Sequence, residues 1–300
     1  MSTDGPQPLV VAVLGLGEAG SLIARDLAAA GARVRGYDPA VTAAGPVLDT
    51  ASEADAAREA HLVLSVNSAK AAVEAFKAGL PGLLPDGPVP RPDGPRPRPD
   101  GPDGPRPDGP RPDGPLPAGR PRPGVLWADL NTASPGTKRQ LAGLAEDAGV
   151  PFADVAMMAP VPGRGLRVPM LASGPGAARY AALLGPLGAA VEVLDGPAGL
   201  AASKKLLRSV FYKGMAASIV EALDAARAAG EEQWLAEHIS AELAAADAAT
   251  VDRITEGTRR HAVRRAAEME AAADMLTELG VPPLMADASR ALHERLTEDD

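Results

Sequence analysis

The chain has 300 residues, 46% hydrophobic and only 3% aromatic, with a formal net charge of −9 and no cysteine. That size allows two domains with true cores of Ala, Val and Leu, and the acidic balance argues against a nucleic-acid or anionic-membrane binder. Without cysteine there are no disulfides, thiol nucleophiles or thiolate metal sites.

Apolar runs read as strands at 8–15, 32–38, 61–67, 124–130 and 151–157, with weaker ones at 168–174 and 189–195. Helix-length segments separate them, which predicts a Rossmann-type, doubly wound α/β domain with a parallel sheet over 1–195. From Pro197 no strand-like run returns, and an all-α C-terminal domain is expected over 196–300. Its entry is one long interdomain helix over 197–230, roughly 50 Å at about 1.5 Å per residue. Gly230 ends it, and later breaks are expected near Gly257 and 280–283.

Residues 88–123 fit neither domain. They carry four copies of "RPDGP", and their prolines forbid both helix interior and central strand. A disordered or polyproline-II-like insertion is expected, either tolerated in a surface loop or used to dock a proline-recognising partner. No run is long enough for a membrane helix, and "MSTDGPQP" lacks the features of a secretory leader, so a cytoplasmic protein is expected. His61, His238, His261 and His293 match no metal-ligand spacing, and no metal is expected.

The first strand runs into Gly15-Leu16-Gly17-Glu18-Ala19-Gly20 and then an amphipathic helix. In that context the spacing is a dinucleotide signature: Gly15 for the tight turn, Gly17 for close approach to a pyrophosphate, Gly20 for helix–sheet packing. Asp38 ends the second strand, where a carboxylate accepts bonds from ribose hydroxyls and repels a 2′-phosphate. The cofactor expected is therefore NAD or NADP, with NAD favoured, although Arg33 and Arg35 lie close enough to soften that preference. Asn67, ending the third run, joins the cofactor-binding candidates. The alternative is a plain strand–helix turn with Asp38 capping a loop.

Two adjacent lysines stand in "KKLLRSVFYKGM" (204–215). Helical spacing puts Lys205 on one face with Ser209 and Tyr212, behind small Ala201, while Lys204 points about 100° away. A lysine in a cleft can serve as general acid or base. Alternatively, both lysines are solvated.

These features together resemble the β-hydroxyacid dehydrogenase superfamily, in particular its 6-phosphogluconate-dehydrogenase-like branch. The resemblance covers nearly the whole chain apart from the proline insertion. "GPAGLAASKKLLRS" follows the superfamily's Gly-x-x-Gly-x-Gly-x-x-x-Lys-x-x-x-Asn pattern in a register that selects Lys205 as the catalytic lysine, with Ser209 replacing Asn. "DLNTASP" (129–135) is similar to the Asp-x-Ser-Thr-x-Ser-Pro element and implies Asn131 and Thr132 near the nicotinamide ribose, while Ser134 also reads as a helix N-cap. "ADVAMMAPVPGRG" keeps Asp154 of the substrate-binding turn but lacks its Ser-Gly-Gly. The basic segment 257–270 corresponds to a region that reaches the substrate, which adds His261, Arg264 and Arg265 to Ser209 and Tyr212 as substrate candidates; the alternative is a solvated face paired with Glu256 and Glu268.

The resemblance implies an NAD(P)-dependent oxidoreductase acting on a small-molecule hydroxy acid or its oxo form, and a homodimer. An imine reductase-like enzyme and a non-catalytic dinucleotide-binding regulator are the alternatives.

Overall fold

Strand β1 (Val10–Leu14) is apolar and buried at every position, as expected of a strand covered on both faces. The sheet continues with β2 (Arg33–Tyr37), β3 (Leu48–Asp49), β4 (Leu62–Ser65), β5 (Leu126–Asp129), β6 (Phe152–Met157), β7 (Met170–Ser173) and β8 (Val191–Val193), in the order β3-β2-β1-β4-β5-β6-β7-β8. These strands belong to a computed structural model that describes residues 7–84 and 121–298. The insertion expected over 88–123 lies, as far as residue 120, outside the described residues.

Two details differ from the sequence expectation. The short strand β3 was not foreseen, because a two-residue strand has no periodicity to detect. Strand β7 runs antiparallel to β6, whereas the other pairings are parallel. The β6–β7 connection holds only a single 3₁₀ turn at Gly165–Arg167, too short for the helical crossover that a parallel return requires.

Helices α1 (Glu18–Ala29), α2 (Glu53–Ala57), α3 (Ala72–Leu83), α4 (Pro135–Asp147) and α5 (Ala177–Leu184) cover this sheet. The alternation of β1 divides its side chains between two cores. Val11 and Val13 join Ile23, Leu27 and Tyr180 in one; Ala12 and Leu14 join Phe76, Trp127 and Leu141 in the other. The scarce aromatics are concentrated here: Phe76 meets Trp127 edge-on at 4.8 Å, and α3 approaches through Gly79, where a Cβ would lie 2.9 Å from the indole.

The chain divides into two units, Met1–Leu207 and Arg208–Asp300. Helix α6 (Leu200–Ala229) begins in the first and continues into the second. The second unit adds α7 (Glu232–Ala244), α8 (Thr250–Arg260), α9 (Ala262–Glu278) and α10 (Leu284–Glu298). Within it the Glu221 carboxylate accepts from the N–H groups of Met285 (2.7 Å) and Ala286 (2.9 Å), supplying acceptors for the start of α10. Gly257 lies inside α8, and the break expected there falls at His261, which caps α8 and precedes α9. No helix among the described residues is long and apolar enough to cross a membrane.

Candidate active site

The order β2-β1-β4 makes the C-terminal end of β1 the point where the sheet's connections change direction, the usual crevice for a ligand in this architecture. Gly15 follows β1 with φ of 103°, and a Cβ there would meet the Val66 carbonyl oxygen at 2.4 Å. At Gly20 a Cβ would lie 1.9 Å from the Gly15 carbonyl oxygen, so α1 can pack this closely only without a side chain. Gly17 is different: a Cβ would meet nothing within 4 Å, so this position opens onto free space. It is also the N-cap of α1 and supplies no side-chain acceptor to the first amides of the helix, which leaves them to an anion. Glu18 and Ala19 begin that helix, and the Glu18 side chain is exposed.

Asp38 fastens the turn from the neighbouring strand. Its Oδ2 accepts from Leu16 N–H at 2.8 Å, and its Oδ1 accepts from Ala40 and Val41 N–H at 2.8 and 3.0 Å. Gly15, Asp38 and Asn67 line one cavity of about 140 Å³ with Tyr37 and Ser68. Arg35 is committed elsewhere: its guanidinium donates to the Asp55 carboxylate at 2.9 Å and to the Asp55 and Ala56 carbonyls. Arg33 is exposed and lies 3.8 Å from Glu59.

Polar residues also gather at the ends of β4 and β5. Asn131 is buried, and its Nδ2 faces Asn67 Oδ1 (2.9 Å), Ser65 Oγ (2.9 Å) and Asp129 Oδ1 (2.6 Å). Its Oδ1 has no partner among the described residues. The next residue, Thr132, is exposed, and its Oγ1 accepts from Lys205 Nζ at 2.8 Å. Lys205 is half-buried, whereas Lys204 is exposed. Ser134 caps α4 by accepting from Thr137 N–H at 3.1 Å.

The remaining candidates belong to the second unit. Tyr212 is 49% exposed, and the Arg208 guanidinium stacks 4.4 Å from its ring centroid. Arg264 pairs with Glu268 at 2.6 Å, and Arg265 donates to Thr258 Oγ1 at 2.7 Å. Arg264 and His261 border a cavity of about 440 Å³ with Arg259 and Arg260. Ser209 lies one turn after Lys205 on α6.

One residue escaped the sequence reading. Lys138, on α4, is fully buried and donates to the Asp129 carboxylate (2.6 Å) and carbonyl (2.7 Å). It also lies 3.2 Å from Asp154 Oδ1, an ion-pair distance without hydrogen-bond geometry, so we count that contact as electrostatic. Its signal was its place on the buried face of α4, in line with Leu141 and Ala145. Among the described residues, no cluster of His, Asp and Glu could hold a metal ion.

Comparison with known proteins agrees with this architecture. Residues 226–296 match the family described as a domain of unknown function, DUF1932. A conserved hypothetical protein from Sinorhizobium meliloti 1021 is 25% identical, with 96% of this chain and 88% of that chain covered and a TM-score of 0.56. A conserved protein of unknown function, described as structurally similar to 3-hydroxyacid dehydrogenases, is 24% identical with 97% of each chain covered and a TM-score of 0.53. A reductive aminase from Aspergillus terreus, solved with NADPH and ethyl-5-oxohexanoate, is 19% identical, with 98% and 95% covered and a TM-score of 0.69. No curated protein matches the sequence significantly. The chain thus has a Rossmann-type unit followed by a helical one whose residues 226–296 match DUF1932, a fold shared with a protein described as structurally similar to 3-hydroxyacid dehydrogenases.

Proposed function

We propose that the protein is an NAD(P)-dependent oxidoreductase acting on a small hydroxy acid or its oxo form, with Lys205 as general acid and base. The carrying observation is the 2.8 Å contact of Lys205 Nζ with Thr132 Oγ1, next in sequence to Asn131. Two features fit a nicotinamide dinucleotide: the open space at Gly17 and the unpartnered, buried Asn131 Oδ1, an acceptor left for a donor from outside the chain. The nicotinamide, when bound, would accept or supply the hydride. The chain's own task is the proton: Lys205 Nζ would take it from a substrate hydroxyl in oxidation and return it to the carbonyl oxygen in reduction. Thr132 Oγ1 would hold that ammonium in place.

NAD is the preferred cofactor in this reading. Asp38 puts a negative charge at the end of β2, and the Arg35 guanidinium is spent on Asp55. Asp38→Ser should narrow the gap between NAD and NADP affinities, measured by protein fluorescence. An unchanged ratio would remove the assignment.

Ser209, Tyr212, His261, Arg264 and Arg265 are proposed substrate contacts. Alanine at Arg264 or Arg265 should raise KM for substrate, and an unchanged KM would return both to their pairings with Glu268 and Thr258. The proposal also includes a homodimer, supported by large exposed apolar side chains on the second unit, among them Val210, Phe211 and Trp234.

A second reading is reduction of an imine, supported by the likeness in fold to the Aspergillus terreus reductive aminase. One experiment separates the two: nicotinamide turnover over a panel of hydroxy acids and of ketone–amine pairs, wild type beside Lys205→Ala. Lysine-dependent oxidation of hydroxy acids supports the first reading. Turnover of ketone–amine pairs alone supports the second.

A further inference from the structure

Four strands each carry one polar residue inside an otherwise apolar run: Ser65 on β4, Asp129 on β5, Asp154 on β6 and Ser173 on β7. The register pairs Ser65 with Asp129, Asp129 with Asp154, and Asp154 with Ser173, so the four form one row across the sheet. Paired residues project from the same face, and all four are fully buried. Two carboxylates on neighbouring strands repel one another. The Lys138 ammonium lies within ion-pair distance of both.

Each end of this row leads towards the candidate active site. On one side Asp129 Oδ1 accepts from Asn131, beside Thr132. On the other, Asp154 Oδ2 accepts from the N–H groups of Gly199 (2.9 Å) and Ala202 (3.1 Å), and Ser173 Oγ accepts from Ala201 N–H (3.0 Å). These are the orphan amides at the start of α6, the helix that carries Lys205 three residues later. The carboxylate of Asp154 also complements the positive end of that helix.

We propose that Lys138 is a positioning residue for Lys205, one buried cation that fixes the Thr132 segment and the start of α6 relative to each other. An apolar side chain could fill its volume, but it could not demand acceptors in set directions. The proposal rests on the reading of Lys205 as acid and base, so its test needs a readout independent of turnover.

That readout is the acylation rate of Lys205 by an N-hydroxysuccinimide ester in the full-length protein, mapped by mass spectrometry. Exposed Lys204 on the same helix serves as reference. Thr132→Ala should raise the Lys205/Lys204 ratio about two- to tenfold, the worth of one hydrogen bond. Lys138→Met should raise it comparably, and the double variant should go no further than Thr132→Ala alone. Additive effects, or an unchanged ratio in a folded Lys138→Met protein, would overturn the proposal.

If Lys138→Met fails to fold, Ser173→Ala provides the test: it removes a single hydroxyl between Asp154 and Ala201. A ratio unchanged by that variant overturns the proposal equally. Because labelling needs no substrate, a protein with no turnover at all would refute the functional reading while leaving this one to be judged on the ratio.

Discussion

Lys205 Nζ and Thr132 Oγ1 lie 2.8 Å apart although 73 residues separate them in sequence. The loop after β5 and the first turns of α6 therefore present one hydroxyl and one ammonium as a unit. Thr132→Val, which keeps the shape and removes the acceptor, should lower kcat about three- to tenfold. Lys205→Ala should lower it by about 10²- to 10⁴-fold and leave dinucleotide binding intact. Steady-state kinetics beside a binding titration would show both, and equal losses in the two variants would mean that Lys205 only supports Thr132.

The glycine turn offers a sharper separation of fold from function. Gly20→Ala would force a methyl group to 1.9 Å from the Gly15 carbonyl oxygen, and overpacking of this kind costs about 1–3 kcal/mol. Gly17→Ala meets no atom within 4 Å, so it should keep the wild-type Tm. It should nevertheless weaken dinucleotide affinity about tenfold or more, because the methyl occupies the space that lets the backbone approach a pyrophosphate. Thermal melts with and without NAD would distinguish the two.

Tyr180 gives the fold a defined response to alkali. It is fully buried, its hydroxyl lies 3.2 Å from Met170 Sδ, and burial holds its pKa well above the ordinary phenol value. In the unfolded chain the phenol ionises near pH ~10, while in the folded chain it keeps its proton. The folded state therefore holds more protons, and stability is lost as pH rises through that range, by up to about 1.4 kcal/mol per pH unit. Urea unfolding at pH 9, 10 and 11 should show wild type losing stability relative to Tyr180→Phe. Parallel losses would show that the phenol is not responsible.

The proline repeats can be removed if the cut is placed correctly. Arg122 N–H donates to the Leu83 carbonyl at 2.9 Å, so the chain before and after the repeats is already held together. Replacing residues 88–118 with a short Gly-Ser bridge should preserve Tm, since each halving of loop length saves only about 0.6 kcal/mol. Extending the deletion through residue 123 also removes the Arg122 guanidinium, which donates to the carbonyls of Ala57 (3.0 Å) and Gly82 (3.4 Å). Leaving such acceptors unmet should cost about 1–3 kcal/mol, visible as a lower Tm for the longer deletion alone.

Local patterns carried much of this structure. The apolar runs marked seven of the eight strands, because a strand covered on both faces needs no alternation to be recognised. Spacing separated the faces of Lys204 and Lys205 but left open whether both are solvated, and only the resemblance to the superfamily pattern selected Lys205. What was illegible depended on register. Ser65, Asp129, Asp154 and Ser173 each look like an incidental polar residue within a strand, and only the pairing of β4 through β7 makes them a row. Spacing could have placed Lys138 on the buried face of α4 with Leu141 and Ala145, but not its role, since its partners Asp129 and Asp154 come from two different strands. The reversal at β7 depended on the length of one loop, and the helix break at His261 on backbone geometry that Gly257 did not need to supply.

The capping of α6 by Asp154 also bears on how the molecule acquires and keeps its order. The amides of Gly199 and Ala202 find their acceptor 45 and 48 residues back in sequence, on a central strand. A helix end normally frays on its own and exchanges its amide protons quickly. Here only Leu200 N–H turns to a near neighbour, the Pro197 carbonyl at 3.2 Å; the amides of Gly199, Ala201 and Ala202 take their acceptors from β6 and β7, so the first turn is completed only once those strands are in the sheet. In deuterium the protons of Gly199, Ala201 and Ala202 should therefore persist as long as those of the sheet interior, and the foot of α6 should melt as part of the β-layer rather than with the helices that follow it.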